Sequence, residues 1–260
     1  MELIDTHCHL TFEPLSDDID SVVTRSKNSG IHEWITVGTD SEHNKKVVEL
    51  AGRFDSLYAA VGIHPHYARD MTLETAKELK QFAQSEKVVA IGETGFDFHY
   101  GDSPKYQDQK RLFVQHLIVA KELNLPVIIH SRDAFDQTMD TLEQFGREIP
   151  KIVFHCFSYS AQQAKAIVDK GFFVSFTGSI TFKNAASLRE AAESVPTERI
   201  MLETDCPYMS PEPLRKQKIN EPAFMVHTVK YLAGLKKTNP EALAAIITAT
   251  SRNFFGLPSR

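Results

Sequence analysis

Two hydrophobic patterns alternate along the chain. Short runs of consecutive apolar residues are each followed by a longer stretch whose apolar positions fall three or four apart. The first pattern predicts buried strands and the second amphipathic helices. Strands are expected over residues 3–10, 33–37, 58–62, 88–93, 127–130, 152–155, 172–176 and 200–205. Helices are expected over 17–29, 42–52, 72–84, 104–124, 133–145 and 161–170, and along a stripe of Ala185, Leu188, Ala192 and Val195. Two more, over 222–236 and 240–250, finish the chain.

Near-continuous apolar strands alternating with amphipathic helices indicate a parallel sheet covered on both faces. Eight such units in 260 residues, with no linker between them, predict an α/β fold of the (β/α)8 TIM-barrel type in a single domain, residues 1–260. A doubly wound open sheet is the alternative, but the first strand–helix turn lacks the Gly-x-Gly-x-x-Gly phosphate fingerprint of that class. The longest irregular stretches are 98–103 and the loop after Asp205. Both follow the C-terminal end of a strand, where barrel enzymes build their sites.

Composition narrows the function. No apolar run reaches the roughly 18 residues of a membrane span, and the N-terminus enters a strand directly, so no signal peptide, no membrane partner and a cytoplasmic location are expected. The formal net charge is −5. That argues against wrapping long duplex nucleic acid, while leaving room for a small site that neutralises phosphates with metal ions. The three cysteines, Cys8, Cys156 and Cys206, do not form a disulfide framework. Nothing points to an oligomer interface, and a monomer is expected.

The chemistry lies at the strand ends. Reading only C-terminal ends gives His7 and His9, His64, Glu93, His130, His155, and Glu203 with Asp205. Six of the eight strands deliver a His or an acid to what would be one rim. Imidazole with carboxylate suits Zn²⁺ or Mn²⁺, and Mg²⁺ where water completes the shell. The set exceeds the three or four protein ligands of one catalytic ion and suits two ions about 3.5–4 Å apart. Glu93 is the expected bridge, because a carboxylate has two oxygens to share and a neutral imidazole one lone pair. Each cysteine directly follows one of His7, His155 and Asp205, so each should turn away from the site as a small buried hydrophobe. His32, His43, His99, His116 and His227 lie away from the rim and read as surface or packing residues, with His66 undecided. Arg132, Arg215, Lys216 and Lys218 follow strand ends and are candidate contacts to substrate phosphate.

With these residues in place the chain resembles the TatD-type metal-dependent deoxyribonucleases along nearly its whole length. The resemblance is carried by Asp5-Thr6-His7-Cys8-His9-Leu10, Gly62-Ile63-His64-Pro65-His66, Ile91-Gly92-Glu93-Thr94-Gly95-Phe96-Asp97, Pro126 to Ala134, His155-Cys156-Phe157-Ser158, Leu202 to Tyr208, Asn220-Glu221-Pro222 and Asn253-Phe254-Phe255-Gly256. It implies an amidohydrolase-like barrel with two divalent cations, Mg²⁺, Mn²⁺ or Zn²⁺. One would be held by His7, His9, Glu93 and Asp205, the other by Glu93, His130 and His155. The implied activity is hydrolysis of DNA phosphodiesters, as a 3′→5′ exonuclease on single strands. Some relatives are linked to DNA repair, and others look like hydrolases of aminoacyl-tRNA esters. The stretch Leu214-Arg215-Lys216-Gln217-Lys218-Ile219 departs from the family pattern and bears on substrate preference. Glu203, Asp205 and His64 are the candidate catalytic residues, Glu203 as general acid/base or substrate-orienting group. The rival reading is a metal-dependent ester or amide hydrolase, such as a D-aminoacyl-tRNA deacylase.

Overall fold

A computed structural model describes residues 1–258. Eight strands lie in one sheet in the order of the chain: β1 (Leu3–Cys8), β2 (Ile31–Val37), β3 (Leu57–Val61), β4 (Val88–Asp97), β5 (Val127–Arg132), β6 (Ile152–Phe154), β7 (Phe173–Phe176) and β8 (Ile200–Leu202). The helices are α1 (Ile19–Asn28), α2 (Ser41–Arg53), α3 (Leu73–Ala83), α4 (Tyr106–Leu123), α5 (Phe135–Phe145), α6 (Ala161–Asp169), α7 (Ala186–Ser194), α8 (Met225–Leu235) and α9 (Pro240–Phe255). The registered neighbours β1–β2, β3–β4, β4–β5, β5–β6 and β7–β8 are parallel. This is the strand order and alternation of a (β/α)8 barrel.

The helices start and stop where short-range chemistry dictates. Asp40 caps α2 by accepting from the backbone N–H of His43 at 2.8 Å, and Ser160 and Gln163 form a reciprocal capping box on α6. Helix α4 ends one residue before the sequence pattern does, because Asn124 turns left-handed (φ 53°) and closes it. Helix α9 runs five residues beyond the expected Thr250. Its buried stripe continues from Leu243 and Ile247 through Ser251 to Phe254, and Gly256 at φ 65° supplies the stop.

The chain gathers into two compact units: residues 1–36 with 156 onward, and residues 37–155. In the first, Trp34, Ile35, Val174, Phe176, Met201 and Phe254 are fully buried or nearly so. Glu33 is buried among them, its carboxylate 2.5 Å from the Arg252 guanidinium of α9. In the second, Phe96 stacks on Tyr106 and meets Phe113 at near right angles, and Val61, Ile91, Ile129 and Phe154 are fully buried or nearly so.

Several strand ends differ from expectation. Strand β1 stops at Cys8, so His9 lies just beyond it, and β8 stops at Leu202, leaving Glu203 and Asp205 on the following turn. Asp205 has φ 52°, so the even strand face expected to carry both acids does not exist there. Ladder-like bonds nevertheless persist: Asp205 N–H donates to the His7 carbonyl and His9 N–H to the Cys206 carbonyl, both at 2.9 Å. In the other direction, β4 continues past Glu93 to Asp97.

Candidate metal centre

In the first unit, β1 and the turn after β8 bring three donors together. His7 Nε2 lies 3.3 Å from His9 Nε2, and Asp205 Oδ1 lies 3.8 Å from the former and 3.4 Å from the latter. The turn is pinned from beneath. Asp5, two residues before His7, accepts from Thr204 N–H at 2.9 Å and from the Thr204 hydroxyl at 2.5 Å. Burial pushes the Asp5 carboxyl up to about 7 despite those hydrogen bonds. Asn220 completes the clamp by donating to the carbonyls of Thr204 (3.0 Å) and Tyr208 (2.6 Å). Asp205 thus holds its left-handed backbone because the residues before and after it are both tied.

In the second unit Glu93 and His130 sit on strands, and His155 directly follows β6. Gly95, at φ 141°, lets β4 approach β5: a Cβ there would overlap the His130 carbonyl oxygen. Glu93 Oε2 lies 2.8 Å from His155 Nε2 and 3.2 Å from His130 Nδ1, and those two nitrogens are 3.1 Å apart. Burial alone would raise the Glu93 carboxyl, but the surrounding His155, His64 and His130 hold it well below the usual carboxylate range. Burial likewise works against a charged His130, and the Asp97 and Glu93 carboxylates outweigh it, raising its pKa.

Both donor sets fit a divalent cation. Ligand bonds of about 2.0–2.2 Å in tetrahedral array place donor atoms about 3.3–3.6 Å apart. The separations of 3.3–3.8 Å in the first unit match that spacing, and those of 2.8–3.2 Å in the second are slightly tighter. Neutral imidazoles with carboxylate oxygens are also the donor types that Zn²⁺ and Mn²⁺ accept.

Other expected residues fall in different surroundings. His64 lies beyond β3, as the cap of a short 3₁₀ turn. Its Nδ1 accepts from His66 N–H at 3.2 Å, and its ring centroid is 4.4 Å from that of His130. Burial lowers its pKa well below the ordinary histidine value, so the ring is neutral with its proton on Nε2. Glu203 is buried. Its Oε1 accepts from Cys156 N–H and its Oε2 from the Ser175 hydroxyl, both at 2.6 Å. Arg215, Lys216 and Lys218 are exposed, and the Arg215 guanidinium covers the Phe182 ring at 4.1 Å.

Cys8 and Cys206 are fully buried as expected, but Cys156 is not: it is partly exposed at φ 45°, its Sγ 3.6 Å from the Met209 sulfur. The strand-parity argument fails for Cys156 because β6 already ends at Phe154. None of the three forms a disulfide.

Sequence reasoning missed Asp97. Its Oδ2 lies 3.1 Å from His130 Nε2 and 3.2 Å from His66 Nε2. The available signal was the period of two in Glu93-x-Gly95-x-Asp97, which puts both carboxylates on one strand face. His130 therefore presents Nδ1 to Glu93 and His155 while a carboxylate holds its other nitrogen, the arrangement that fixes tautomer and ring orientation in histidine metal ligands.

Residues 4–256 match the family model of TatD-related DNases. The chain belongs to that family. A Bacillus subtilis (strain 168) relative described as an uncharacterized metal-dependent hydrolase, YabD, is 38% identical over 97% of this chain and 98% of its own length. An Erwinia billingiae (strain Eb661) protein named 3′-5′ ssDNA/RNA exonuclease TatD is 36% identical over 99% of this chain and all of its own. Among solved structures, the TatD homologue YJJV from Escherichia coli K12 superposes with a TM-score of 0.92 at 32% identity, covering 98% of each chain. Fold, family and the class of metal-dependent hydrolase agree with the motifs read from the sequence.

Proposed function

We propose that this TatD-family hydrolase removes nucleotides from the 3′ end of single-stranded DNA. The observation that carries the reading is the pair of buried His/carboxylate donor sets, each spaced for a divalent cation, in a chain similar to proteins named as 3′-5′ ssDNA/RNA exonucleases. His7, His9 and Asp205 would hold one ion, and Glu93, His130 and His155 another. Bound there, such ions supply charge neutralisation of the phosphate and activation of water near neutral pH.

The chain's own groups do the rest. His64 carries its proton on Nε2 and stays neutral, so it donates a hydrogen bond to a phosphate oxygen without exchanging a proton at physiological pH. Asp97 fixes the His130 ring. Arg132, with Arg215, Lys216 and Lys218, supplies positive charge for the flanking phosphates. Glu203 uses its two oxygens to hold the Cys156 backbone and the Ser175 side chain, which makes it an anchor of the 155–157 turn.

The test is incubation of a 5′-labelled single-stranded oligonucleotide with the protein after chelation and after return of Mg²⁺, Mn²⁺ or Zn²⁺. A ladder shortening from the 3′ end, lost with chelator and restored by metal, is expected. Cleavage of an aminoacyl-tRNA ester with no oligonucleotide ladder would overturn the reading.

A further inference from the structure

Beyond the donor atoms, a line of aromatic rings runs outward from the second unit's site. The His130 ring meets His64 at 4.4 Å between centroids, His64 meets His66 at 4.5 Å, and His66 meets Tyr100 at 5.4 Å. Each contact is close to edge-on, with interplanar angles of 70–77°. His99 buttresses Tyr100 from another side at 5.0 Å and is itself held by Asp133, whose carboxylate lies 2.9 Å from its Nδ1. The Arg132 guanidinium lies 5.2 Å from the Tyr100 ring centre, and its Nη1 donates to the Tyr100 hydroxyl at 3.4 Å. Strand pairing fixes this cation, since Arg132 is the registered partner of Asp97 across β4 and β5.

Tyr100 is nonetheless 49% exposed as a residue. A single exposed aromatic is ordinary on a protein surface and by itself implies nothing. This one is held by two imidazoles and has an arginine over its ring, so it loses little conformational freedom on binding. A half-exposed tyrosine with a guanidinium, joined by packed rings to a phosphate-hydrolysing site, has the composition of a single-strand stacking platform. There an aromatic side chain takes a base of any identity, and the adjacent cation takes the neighbouring phosphate.

We propose that Tyr100 and Arg132 form a nucleobase subsite, in which one base of the single-stranded substrate stacks on Tyr100 while Arg132 contacts the adjoining phosphate. The proposal rests on the exonuclease reading above and adds to it the part of the substrate recognised. Because stacking does not read base identity, the subsite accepts all four bases and requires only that a base be present. It also excludes a paired end, since the stacked base must be out of a duplex.

The test couples residue to base. Single abasic sites are placed at each of the last four positions from the 3′ end of an oligonucleotide, and kcat/KM is measured for the wild type, Tyr100→Ala and Tyr100→Phe. In the wild type, one abasic position should lower kcat/KM by about tenfold or more, the usual worth of one stacked base. In Tyr100→Ala that position should lose its effect, and in Tyr100→Phe it should keep it. A ring that only supports the loop would lower activity on all oligonucleotides alike, without coupling to any base. Absence of coupling at all four positions, with cleavage intact, overturns the subsite and leaves the exonuclease reading standing. Failure of the wild type to cleave any oligonucleotide overturns both.

Discussion

The two donor sets are built by opposite means. In the first unit His9 and Asp205 lie beyond their strands, on backbone held by two cross-chain amide bonds and tied down by Asp5, Thr204 and Asn220. In the second, Glu93 and His130 sit within strands and meet through regular pairing, and the fine adjustment comes from one carboxylate, Asp97, on one imidazole. Their supports differ as well. The first unit contains a buried ion pair, Glu33 with Arg252, whereas the second is braced by a neutral histidine. His116 of α4 accepts from Ile63 N–H through Nε2 and faces the Leu112 carbonyl with Nδ1, both at 2.8 Å. A loop-built set depends on a network of paired polar groups. A strand-built set depends on the strands and on keeping its supporting ring uncharged.

Breaking those supports should separate the units. The largest loss is expected from Arg252→Ala, which removes the guanidinium from the buried Glu33 carboxylate and should cost about 3–5 kcal/mol in denaturant unfolding. A loss under 1 kcal/mol would mean that Glu33 is satisfied without it.

The second unit should instead be sensitive to acid. Burial lowers the His116 pKa to about 4, whereas an unfolded histidine titrates near 6.5. Below pH 6.5 the unfolded chain takes up a proton that the folded ring refuses. This contribution to stability is therefore complete above pH 6.5 and falls as pH drops toward 4, by about 3 kcal/mol in all. In His116→Gln, where an amide oxygen can still accept from Ile63 N–H, that share of the pH dependence should vanish from the unfolding curves. Identical slopes in the two proteins would show that His116 protonates freely in the fold.

Asp97→Asn should weaken cation binding at the Glu93–His130–His155 set by about 10–100-fold while leaving the His7–His9–Asp205 set unchanged, read by metal titration. Equal weakening of both would remove the distinction between the two constructions. The smallest effect is expected at Glu203→Gln. The amide oxygen can keep accepting from Cys156 N–H while the NH2 donates to the Ser175 hydroxyl, so two charge-assisted hydrogen bonds become neutral ones at a cost of about 1–2 kcal/mol of stability. An unchanged melting temperature with kcat lowered by about 10²–10⁴ would instead restore Glu203 to proton transfer.

This contrast also marks what could be read from the sequence. Hydrophobic period alone places all eight strands, because a buried parallel strand and an amphipathic helix leave different spacings. It brings His7, Glu93, His130 and His155 into or directly after the C-terminal halves of their strands. It does not carry beyond that. The positive φ of Asp205 arises from Asp5, some 200 residues away in the chain, holding Thr204, and no local pattern encodes that. Asp97 escaped for the opposite reason: the apolar run ends near Glu93, while the strand continues on pairing with β5. The role of His116 was hidden because a histidine on a helix stripe looks like any packing residue until its two nitrogens find partners.

The central claim, two cation sites each built within its own unit, is tested most directly by elemental analysis of metal bound per chain in the wild type, His9→Ala and His130→Ala. Two equivalents in the wild type are predicted, falling to one in each variant, with the retained ion bound at wild-type affinity. A wild type that retains no metal after equilibration with Mn²⁺ or Zn²⁺, or either single variant that loses both ions, would contradict the account.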